Sequence, residues 1–434
     1  MRRVLMISPH FPPDTNAGSH RVRLLAPYLA EHGWEPTVIA VDPSAYEGRL
    51  DAGLAALVPE SLRVVRASAW PASITRPLGI GDLGLRAYAG IRKAAVDVLA
   101  GQRHDAVFIT IYPTYPAFLG PSLKRRFGVP FVLDYQDPWV SAWGREVGGG
   151  PNGTPDWKSR VTRALAERLE PHVVRAADAL TAVSARTYED VLARVPGASP
   201  RACAAIPLGF DVHDREALAD GVHLDPGFDE RDGLIHLCYV GTVLPKGYEV
   251  LDTVLAALAA LRRQSPAVAD RLRLHFIGTS NQVTADAASR VLPRARDAGV
   301  GDLVTEAAPR VNYLDALSAQ TRAHAVLLLG SSEPHYTPSK VFPALLAGKP
   351  IIAVYHAASS VLDVLRSAGV DADALSFDDR HPVAGRVGPL TAILGALAAG
   401  HSPAAPRVPC AALRDWSAHA LAGQLARVFD TVAA

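Results

Sequence analysis

The amino-acid sequence predicts an α/β protein with two domains, each built around a parallel sheet. First, the chain opens with an apolar strand at residues 4–7, a loop, a helix from Ser19 and a second strand at 37–41; this order is a βαβ unit. Second, the same order restarts at Ile235. Third, residues 212–233 are rich in Asp, Gly and His and lack apolar periodicity, which is typical of an interdomain linker.

The length of the chain agrees with two domains, because 434 residues are too many for one ordinary core. We therefore expect a first domain at residues 1–211, a linker at 212–233, a second domain at 234–410 and a terminal helix at 411–434.

Composition excludes several classes of protein. With 49% apolar and 20% charged residues the chain is globular, and a formal net charge of +1 gives no global attraction to nucleic acid. The three cysteines form no Cys-x-x-Cys pair, and no acidic or histidine cluster has metal-ligand spacing, so we expect no bound metal and no cofactor. No apolar run approaches eighteen residues. A cytoplasmic protein follows, and the excess of arginine over lysine suggests a GC-rich bacterial genome.

The first domain continues the alternation of strands and helices. Residues 105–111 are apolar on both faces, as in parallel sheets covered on both sides. After the opening βαβ unit we predict strands at 62–67, 105–111, 129–134, 179–183 and 204–207, and helices at 86–100, 117–127, 157–176 and up to 193.

The second domain follows the same pattern and ends in a helix. We predict strands at 235–240, 272–277, 303–306, 325–329, 351–354 and 375–377, and helices at 250–262, 314–322, from about 338, at 359–366 and at 388–398. A final helix at 413–429 carries an apolar stripe of Leu413, Trp416, Leu421, Leu425 and Val428.

Residues 325–353 contain the strongest signal for a ligand. A buried strand ends in a loop of Gly, Ser, Glu and Pro, and a helix opens near Pro338-Ser339 with Lys340 in its first turn. Free N–H groups at a helix N-terminus, together with an ammonium, form a seat for phosphate. The alternative is an ordinary strand-helix-strand crossover with a surface lysine.

Two loops of the first domain also follow strands. The strand at 129–134 leads into Asp134, Gln136, Asp137 and Trp139, which puts polar and aromatic groups at the carboxyl edge where open sheets bind ligands. Asp134 or Asp137 could instead cap a following helix or turn. The loop after the first strand has no Gly-x-Gly-x-x-Gly pattern, so Gly18 is either a point of close ligand approach or a turn glycine. The glycine-rich residues 141–155 fit a mobile loop over a site or plain disorder.

Several of these segments together resemble GT-B glycosyltransferases of the retaining, family-four type. The resemblance is carried by Ser-Lys-x-Phe at 339–342 with its Gly-x-Pro turn, by Gly-Thr and Lys-Gly at 241–247, by Leu-Gly-Phe-Asp at 208–211, and by the first loop, where Ala17-Gly18 stands for a Gly-Gly pair. It implies two Rossmann-like domains facing across a cleft, with the last helix crossing back to the first domain. It also implies sugar transfer from a nucleotide-diphosphate donor to an unknown acceptor, with retention and without a metal.

The resemblance assigns roles to particular residues. Lys246 and Asp137 would be catalytic. The donor phosphates would be bound by Gly18, Thr242, Lys246, Ser339 and Lys340, the nucleoside by Gly278, Val311, Glu333 and His335, and the acceptor by His20, Gln136, Asp137 and Trp139. Lys246 could instead be a solvated surface lysine.

The sequence also departs from this family. Gln136 stands where arginine is usual. Two glutamates with seven residues between them are usual around the donor segment. Here their positions hold His335 and Pro343, with Glu333 as a substitute two residues early. We expect Pro343 to bend or delay the first turn of its helix.

Rival interpretations remain open. An epimerase or phosphorylase on the same fold would need an acid or base, for which His10 and His20 are available. A catalytically silent GT-B-like partner or scaffold would tolerate Pro343. Residues 124–126 and an Arg21/Arg23 face could contact anionic lipid, or could be ordinary solvated charges.

Overall fold

The computed structural model describes residues 1–140, 157–220, 223, 225–280, 282, 284, 286–332, 339–402, 404–407 and 411–434. These residues form two compact units. The first unit contains Met1–Gly209 together with Ala418–Ala434, and the second contains Phe210–Ser417.

A parallel sheet forms the centre of the first unit. Its strands are apolar on both faces, and each residue of Ala106–Ile111 is buried, as the run of apolar side chains predicts. The described residues give seven strands: β1 (Arg2–Ile7), β2 (Trp34–Val41), β3 (Arg63–Ala67), β4 (Ala106–Ile111), β5 (Phe131–Tyr135), β6 (Ala179–Ala182) and β7 (Ala202–Ala205). They lie in the order β3-β2-β1-β4-β5-β6-β7.

Helices cover both faces of this sheet. The longest described helix of the unit, Leu83–Gly101, begins after Asp82. The Asp82 side chain accepts a hydrogen bond from the Leu85 N–H at 2.9 Å, a typical N-cap. The helices are α1 (Ser19–Leu25), α2 (Ala52–Ala56), α3 (Ala72–Thr75), α4 (Leu83–Gly101), α5 (Leu119–Phe127), α6 (Trp157–Val174) and α7 (Ala185–Arg194).

A second parallel sheet forms the centre of the second unit. Six strands are present among its described residues: β8 (Ile235–Val240), β9 (Leu272–Ile277), β10 (Val304–Ala307), β11 (Ala325–Leu329), β12 (Ile351–His356) and β13 (Ala374–Phe377). Their order is β10-β9-β8-β11-β12-β13. The two parallel sheets confirm the predicted α/β class.

The helices of the second unit follow the predicted pattern and include three short ones that were not predicted. The helices are α8 (Val212–Glu216), α9 (Tyr248–Gln264), α10 (Pro266–Ala269), α11 (Leu292–Asp297), α12 (Tyr313–Arg322), α13 (Val341–Ala347), α14 (Ser360–Ser367) and α15 (Val387–Ala398). Those that were not predicted are α8, α10 and α11. The segment predicted as an aperiodic linker thus contains α8, which Asp211 caps by accepting from the His213 N–H. The Tyr313 hydroxyl also donates to Asp214 at 2.8 Å, so this segment is attached to the second unit.

The C-terminal helix, α16 (Ala418–Ala433), packs in the first unit, as the resemblance implies. Its buried residues Leu421, Leu425 and Phe429 join the core between β1, β4 and α1. The helix begins later than predicted, because Leu413 and Trp416 lie in a preceding 3₁₀ turn, Ala411–Trp416.

Both sheets share one topological feature that positions the sites below. In each, the first strand lies between the second strand on one side and the fourth on the other, so the direction of winding reverses between β1 and β4 and between β8 and β11. The loops at the carboxyl ends of these strand pairs diverge and leave a crevice, where open α/β sheets bind ligands. We call these two places the first and second switch points.

Arg21 and Arg23, for which lipid contact and solvation were both open, do not lie on the surface. Arg21 is 0% exposed and Arg23 is 3% exposed, because this side of α1 is covered. Lys124 forms an ion pair with Asp178 at 2.8 Å. Among the described residues, no helix combines the length and apolarity that crossing a bilayer requires.

Candidate active site

The second switch point contains Lys340, the residue that precedes α13. Its ammonium donates to the Tyr239 hydroxyl at 2.7 Å and to the Thr242 carbonyl at 2.9 Å. It also lies 4.8 Å from the centre of the Tyr239 ring, a cation–π distance. Burial raises the pKa of Tyr239 well above its ordinary value, so this partner is a neutral phenol. Lys340 is therefore a fixed cation at the carboxyl end of β8.

Gly241 makes room for that lysine. Its φ is +117°, a conformation that side chains rarely adopt. A Cβ at this position would lie 2.5 Å from Lys340 Cε and 2.9 Å from its Nζ. The Gly241 N–H donates to the Ile277 carbonyl at 2.8 Å, which holds the loop against β9. Gly241 therefore leaves the space that the Lys340 side chain occupies, and Thr242 accepts its hydrogen bond.

Lys246 lies on the same loop, in the 3₁₀ turn Pro245–Gly247. The residue is exposed. Its backbone carbonyl accepts from the Ser332 N–H at 2.9 Å, and Gly247 approaches the Gly330 carbonyl closely enough that a Cβ would lie 3.4 Å away. The loops after β8 and β11 are thus joined, and Thr242, Lys246 and Lys340 are brought to one edge of the sheet.

The predicted nucleoside-binding residues are only partly described. Gly278 follows β9 with φ +70°, and a Cβ there would lie 3.8 Å from Val311 and 3.9 Å from the Gly241 nitrogen. Gly278 and Val311 therefore lie beside the Gly241 loop. Glu333 and His335 lie outside the described residues, as does the glycine-rich stretch at 141–155.

Helix α13 begins at Val341, later than the predicted start near Pro338-Ser339. Ser339 is exposed, and its carbonyl accepts from the Phe342 N–H at 3.2 Å. Pro343 is the third helical residue, where an N–H would have no partner within the helix, so its ring is accommodated there. The delayed start agrees with the effect expected of this proline.

At the first switch point, Gly18 and His20 lie at the start of α1. The Gly18 N–H donates to the Asn16 side chain at 3.0 Å. Gly18 has helical φ and ψ, and a Cβ would lie 3.6 Å from His10 and 3.7 Å from the Tyr112 carbonyl. His20 Nδ1 lies 3.5 Å from the Arg23 guanidinium. Gly18 is therefore a close neighbour of the loops after β1 and β4.

The residues after β5 separate into different roles. Asp137 is exposed, and partial desolvation raises the pKa of its carboxyl. The Nε2 atom of Gln136 is buried and has no hydrogen-bond partner among the described residues. Trp139 packs edge-on against Phe118 at 5.6 Å and joins the hydrophobic core. Trp139 thus packs against the core of the first unit, whereas Gln136 and Asp137 lie at the carboxyl edge of the sheet.

Asp134 does not cap a helix, as one interpretation of the sequence supposed. It forms a buried two-point ion pair with Arg21, at 2.6 and 2.9 Å, and both side chains are 0% exposed. Thr181 also donates to Asp134 at 2.7 Å, and Arg21 donates to the Ile206 carbonyl at 2.6 Å. This pair ties α1 to β5, β6 and the end of β7.

Two further polar residues near the switch points were not predicted from the sequence. Glu306, in β10, accepts from the Thr279 hydroxyl and from the backbone N–H groups of residues 290–292, at 2.5 to 3.0 Å. It thereby fixes the loop after β9. Tyr112, directly after β4, has φ +109°, which is rare for a residue with a side chain. Such strain tends to collect at functional sites, and an isolated tyrosine in a sequence carries no sign of it.

Comparison with known proteins finds sequence similarity in the first half of the chain. A family model described as a glycosyl transferase 4-like domain matches residues 17–209. D-inositol 3-phosphate glycosyltransferase from Geodermatophilus obscurus is 26% identical over 184 residues. That match covers 42% of this chain, and the chain spans only 39% of that relative's length in it.

Solved structures match along the whole chain. A glycosyltransferase from Rickettsia africae superimposes with a TM-score of 0.59 at 11% identity, covering 99% of this chain and 98% of its own. A UDP-forming alpha,alpha-trehalose-phosphate synthase from Burkholderia xenovorans gives 0.61 at 12% identity, with 100% of both chains covered. The glycosyltransferase WaaG gives 0.52 at 14% identity, covering 98% and 94%. At these identities the likeness establishes the fold.

The solved structures show that the chain has the GT-B fold. The family model adds that residues 17–209 are similar to a glycosyl transferase 4-like domain.

Proposed function

We propose that this protein transfers a sugar from a nucleoside-diphosphate donor, bound at the second switch point, to an acceptor hydroxyl bound at the first. The observation that carries the proposal is the cation at the second switch point. Lys340 donates to Tyr239 and Thr242 and lies in the space that Gly241 leaves free. Lys246 lies on the same loop. The names of the relatives support donors of this kind and acceptors such as a phosphorylated polyol.

The chemistry needs positive charge where the donor breaks. As the anomeric C–O bond cleaves, its electron pair moves to the diphosphate, and negative charge grows on the leaving oxygen. Ammonium groups held in advance stabilise that charge without reorganising during the reaction. We assign this role to Lys340 and Lys246, with Thr242 and Ser339 lining the phosphate site, and Gly278 and Val311 beside the nucleoside.

Retention and independence of metal belong to the proposal as well. Both are implied by the resemblance to the retaining, family-four enzymes. The two lysines supply charge that a divalent cation would otherwise supply to the diphosphate. We also infer a cytoplasmic bacterial protein, since a nucleotide-sugar donor is an intracellular metabolite and the named relatives above are bacterial.

Ligand-induced thermal stabilisation tests donor binding. The protein is heated with UDP-glucose, UDP-N-acetylglucosamine, GDP-mannose, ADP-glucose, dTDP-glucose and the corresponding diphosphates. A donor present at a hundred times its dissociation constant adds roughly 2.7 kcal/mol, which raises the melting temperature clearly. Absence of stabilisation by every compound, together with no release of nucleoside diphosphate, would refute the proposal and favour a silent scaffold.

Substitution of Lys246 tests catalysis. Lys246→Ala should lower the rate of nucleoside-diphosphate release by roughly 100-fold to 1000-fold, the effect of deleting one transition-state donor. Lys93→Ala is the matched control, because Lys93 is an exposed lysine that pairs with Asp97 on α4. Normal turnover by the Lys246 variant would show that this lysine is an ordinary surface group.

A further inference from the structure

Tyr239 brings a hydroxyl group from the core of the second unit to the second switch point. It is the fifth of the six residues of β8. Its side chain is 3% exposed, and its ring packs in the hydrophobic core against Phe276, with ring centres 5.6 Å apart. An aromatic residue in a strand is typical of a core position, so its place in the sequence indicates no other role. A buried hydroxyl nevertheless needs hydrogen-bond partners.

Both partners of this hydroxyl belong to the second switch point. It accepts a hydrogen bond from the Lys340 ammonium at 2.7 Å and donates one to the Thr242 carbonyl at 3.1 Å. Lys340 donates to the same carbonyl at 2.9 Å. Ammonium, hydroxyl and carbonyl thus form a closed triangle, in which each group contacts the other two. The two hydrogen bonds from the ammonium are stronger than bonds between neutral groups, because their donor is charged.

A phenol suits this triangle because its hydroxyl can accept and donate at the same time. Burial raises the pKa of Tyr239 well above its ordinary value, so the proton that it donates to Thr242 stays on the hydroxyl near neutral pH. The positive charge of Lys340 polarises the hydroxyl and strengthens its donation to the carbonyl. The hydroxyl and the carbonyl together fix the position of the ammonium.

A fixed ammonium binds an anion more tightly than a mobile one. A lysine side chain has a flexible four-carbon stem, and immobilising such a side chain on binding weakens affinity by about 2-fold to 12-fold. Lys340 is ordered already in the folded chain. It also packs against Gly241 so closely that a Cβ there would lie 2.5 Å from its Cε. Loss of the Tyr239 hydroxyl would remove one of the groups that provide this order.

We propose that Tyr239 is a positioning residue for the donor diphosphate and acts through Lys340. This inference rests on the proposed function above and names a residue that prepares the same site. In this role Tyr239 does not touch the donor. Its hydroxyl holds the ammonium at the place where the diphosphate binds, and β8 provides the rigid support. The affinity for the diphosphate therefore depends on a side chain of the core.

Tyr239→Phe tests this role, because phenylalanine keeps the ring and removes the hydroxyl. Lys340 retains its hydrogen bond to Thr242, so no buried charge is left without a partner and the variant should fold. The probes are UDP, GDP, ADP and dTDP, and the one that stabilises the wild-type protein most is titrated by calorimetry into each variant. We expect the dissociation constant of Tyr239→Phe to rise by about 5-fold to 10-fold.

A double-mutant cycle shows whether the hydroxyl acts through Lys340. Lys340→Met removes the ammonium and keeps much of the apolar stem. It should raise the dissociation constant by about 10-fold to 100-fold, the usual effect of losing a charged hydrogen-bond partner. In the Lys340→Met background, Tyr239→Phe should change the dissociation constant by less than about twofold. A hydroxyl that only supports the fold would weaken binding by the same factor in both backgrounds, because independent effects multiply.

Tyr135→Phe is the matched control. Tyr135 is a buried tyrosine of β5 in the first unit, and its hydroxyl donates to Glu170 at 3.2 Å. Its loss should leave the affinity for the nucleoside diphosphate unchanged. The proposal is overturned if Tyr239→Phe binds as tightly as the wild type, if its full effect persists without Lys340, or if Tyr135→Phe has the same effect. A wild-type protein that binds none of these nucleoside diphosphates is a different result, because it refutes the proposed function itself.

Discussion

The two units share a strand order but hold different chemistry at their switch points. At the first, the loops after β1, β2 and β4 bring together an imidazole, a carboxylate and two phenols. At the second, the loops after β8 and β11 bring together lysines and glycine backbone. Topology therefore determines where a site lies, and the loop side chains determine what it does.

The interiors of the two units differ as well. The first contains a charged pair, Arg21 and Asp134, with both side chains 0% exposed. The second contains a chain of histidines: His236 contacts Asp232 at 3.0 Å and His275 at 2.8 Å, and His275 contacts the Thr305 hydroxyl at 2.8 Å. The core of the first unit thus contains a buried ion pair, and the core of the second contains hydrogen-bonded imidazoles.

The largest expected effect comes from breaking the charged pair of the first unit. Asp134→Asn leaves the Arg21 guanidinium buried without a counter-charge. Removing one partner of a buried pair costs about 3–5 kcal/mol of the free energy of unfolding. Urea unfolding of the full chain measures this loss in the free energy of unfolding.

The second unit supplies the control for this comparison. Asp252 pairs with Arg294 at 2.7 Å, but the two side chains are 49% and 35% exposed. Asp252→Asn should therefore cost about 1 kcal/mol or less. Equal effects of the two substitutions would mean that the Arg21–Asp134 pair contributes no more than a surface pair.

The next effect is a dependence of the second unit on pH. Burial, aided by the neighbouring His236, lowers the pKa of His275 from 6.5 to about 4. Between these values the unfolded chain binds a proton at this position that the folded chain does not, so stability falls as the pH falls below 6.5. The loss reaches about 3 kcal/mol at most near pH 4.

Urea midpoints at several pH values between neutrality and pH 4 measure this loss in the full chain. His275→Gln removes the titrating group, so the variant should have a flatter dependence whatever its stability at neutral pH. A slope unchanged by the substitution would assign the acid sensitivity to other groups, among them His324, whose pKa is also lowered by burial.

The smallest effect compares the glycines at the two switch points. Gly241→Ala adds a Cβ in a backbone conformation of φ +117° and displaces the Lys340 side chain by steric clash. We expect a loss of about 1–2 kcal/mol in stability and weaker thermal stabilisation by the donor. Gly18→Ala keeps a helical conformation with contacts of 3.4 Å or more, so its cost should stay below about 1 kcal/mol. Similar losses in the two variants would contradict the different roles assigned to the glycines.

Strands and fold class could be predicted because apolar runs and their spacing report burial directly. The runs at 105–111 and 325–329 are the central strands β4 and β11. The convergence of Lys246 with the segment after β11 was also predictable in outline, since parallel strands deliver their carboxyl ends to one edge.

What escaped prediction depends on residues distant in the chain. Arg21 and Asp134 are 113 positions apart, and nothing local distinguishes Arg21 from a surface arginine on an amphipathic helix. His10 and Asp14 lie on one loop, but sequence spacing does not connect them to Tyr46 and Tyr112, whose rings stack on His10. Trp139, expected beside the acceptor, packs edge-on against Phe118, a contact that its place after a strand does not reveal.

The position of α16 has a consequence for how the protein is made. Leu421, Leu425 and Phe429 complete a face of the sheet that begins at Arg2. Domains generally fold in the order in which the ribosome delivers them. Here the unit that is translated first must wait for the last helix before that face is covered, so it is the second unit, wholly contained in Phe210–Ser417, that can finish folding first.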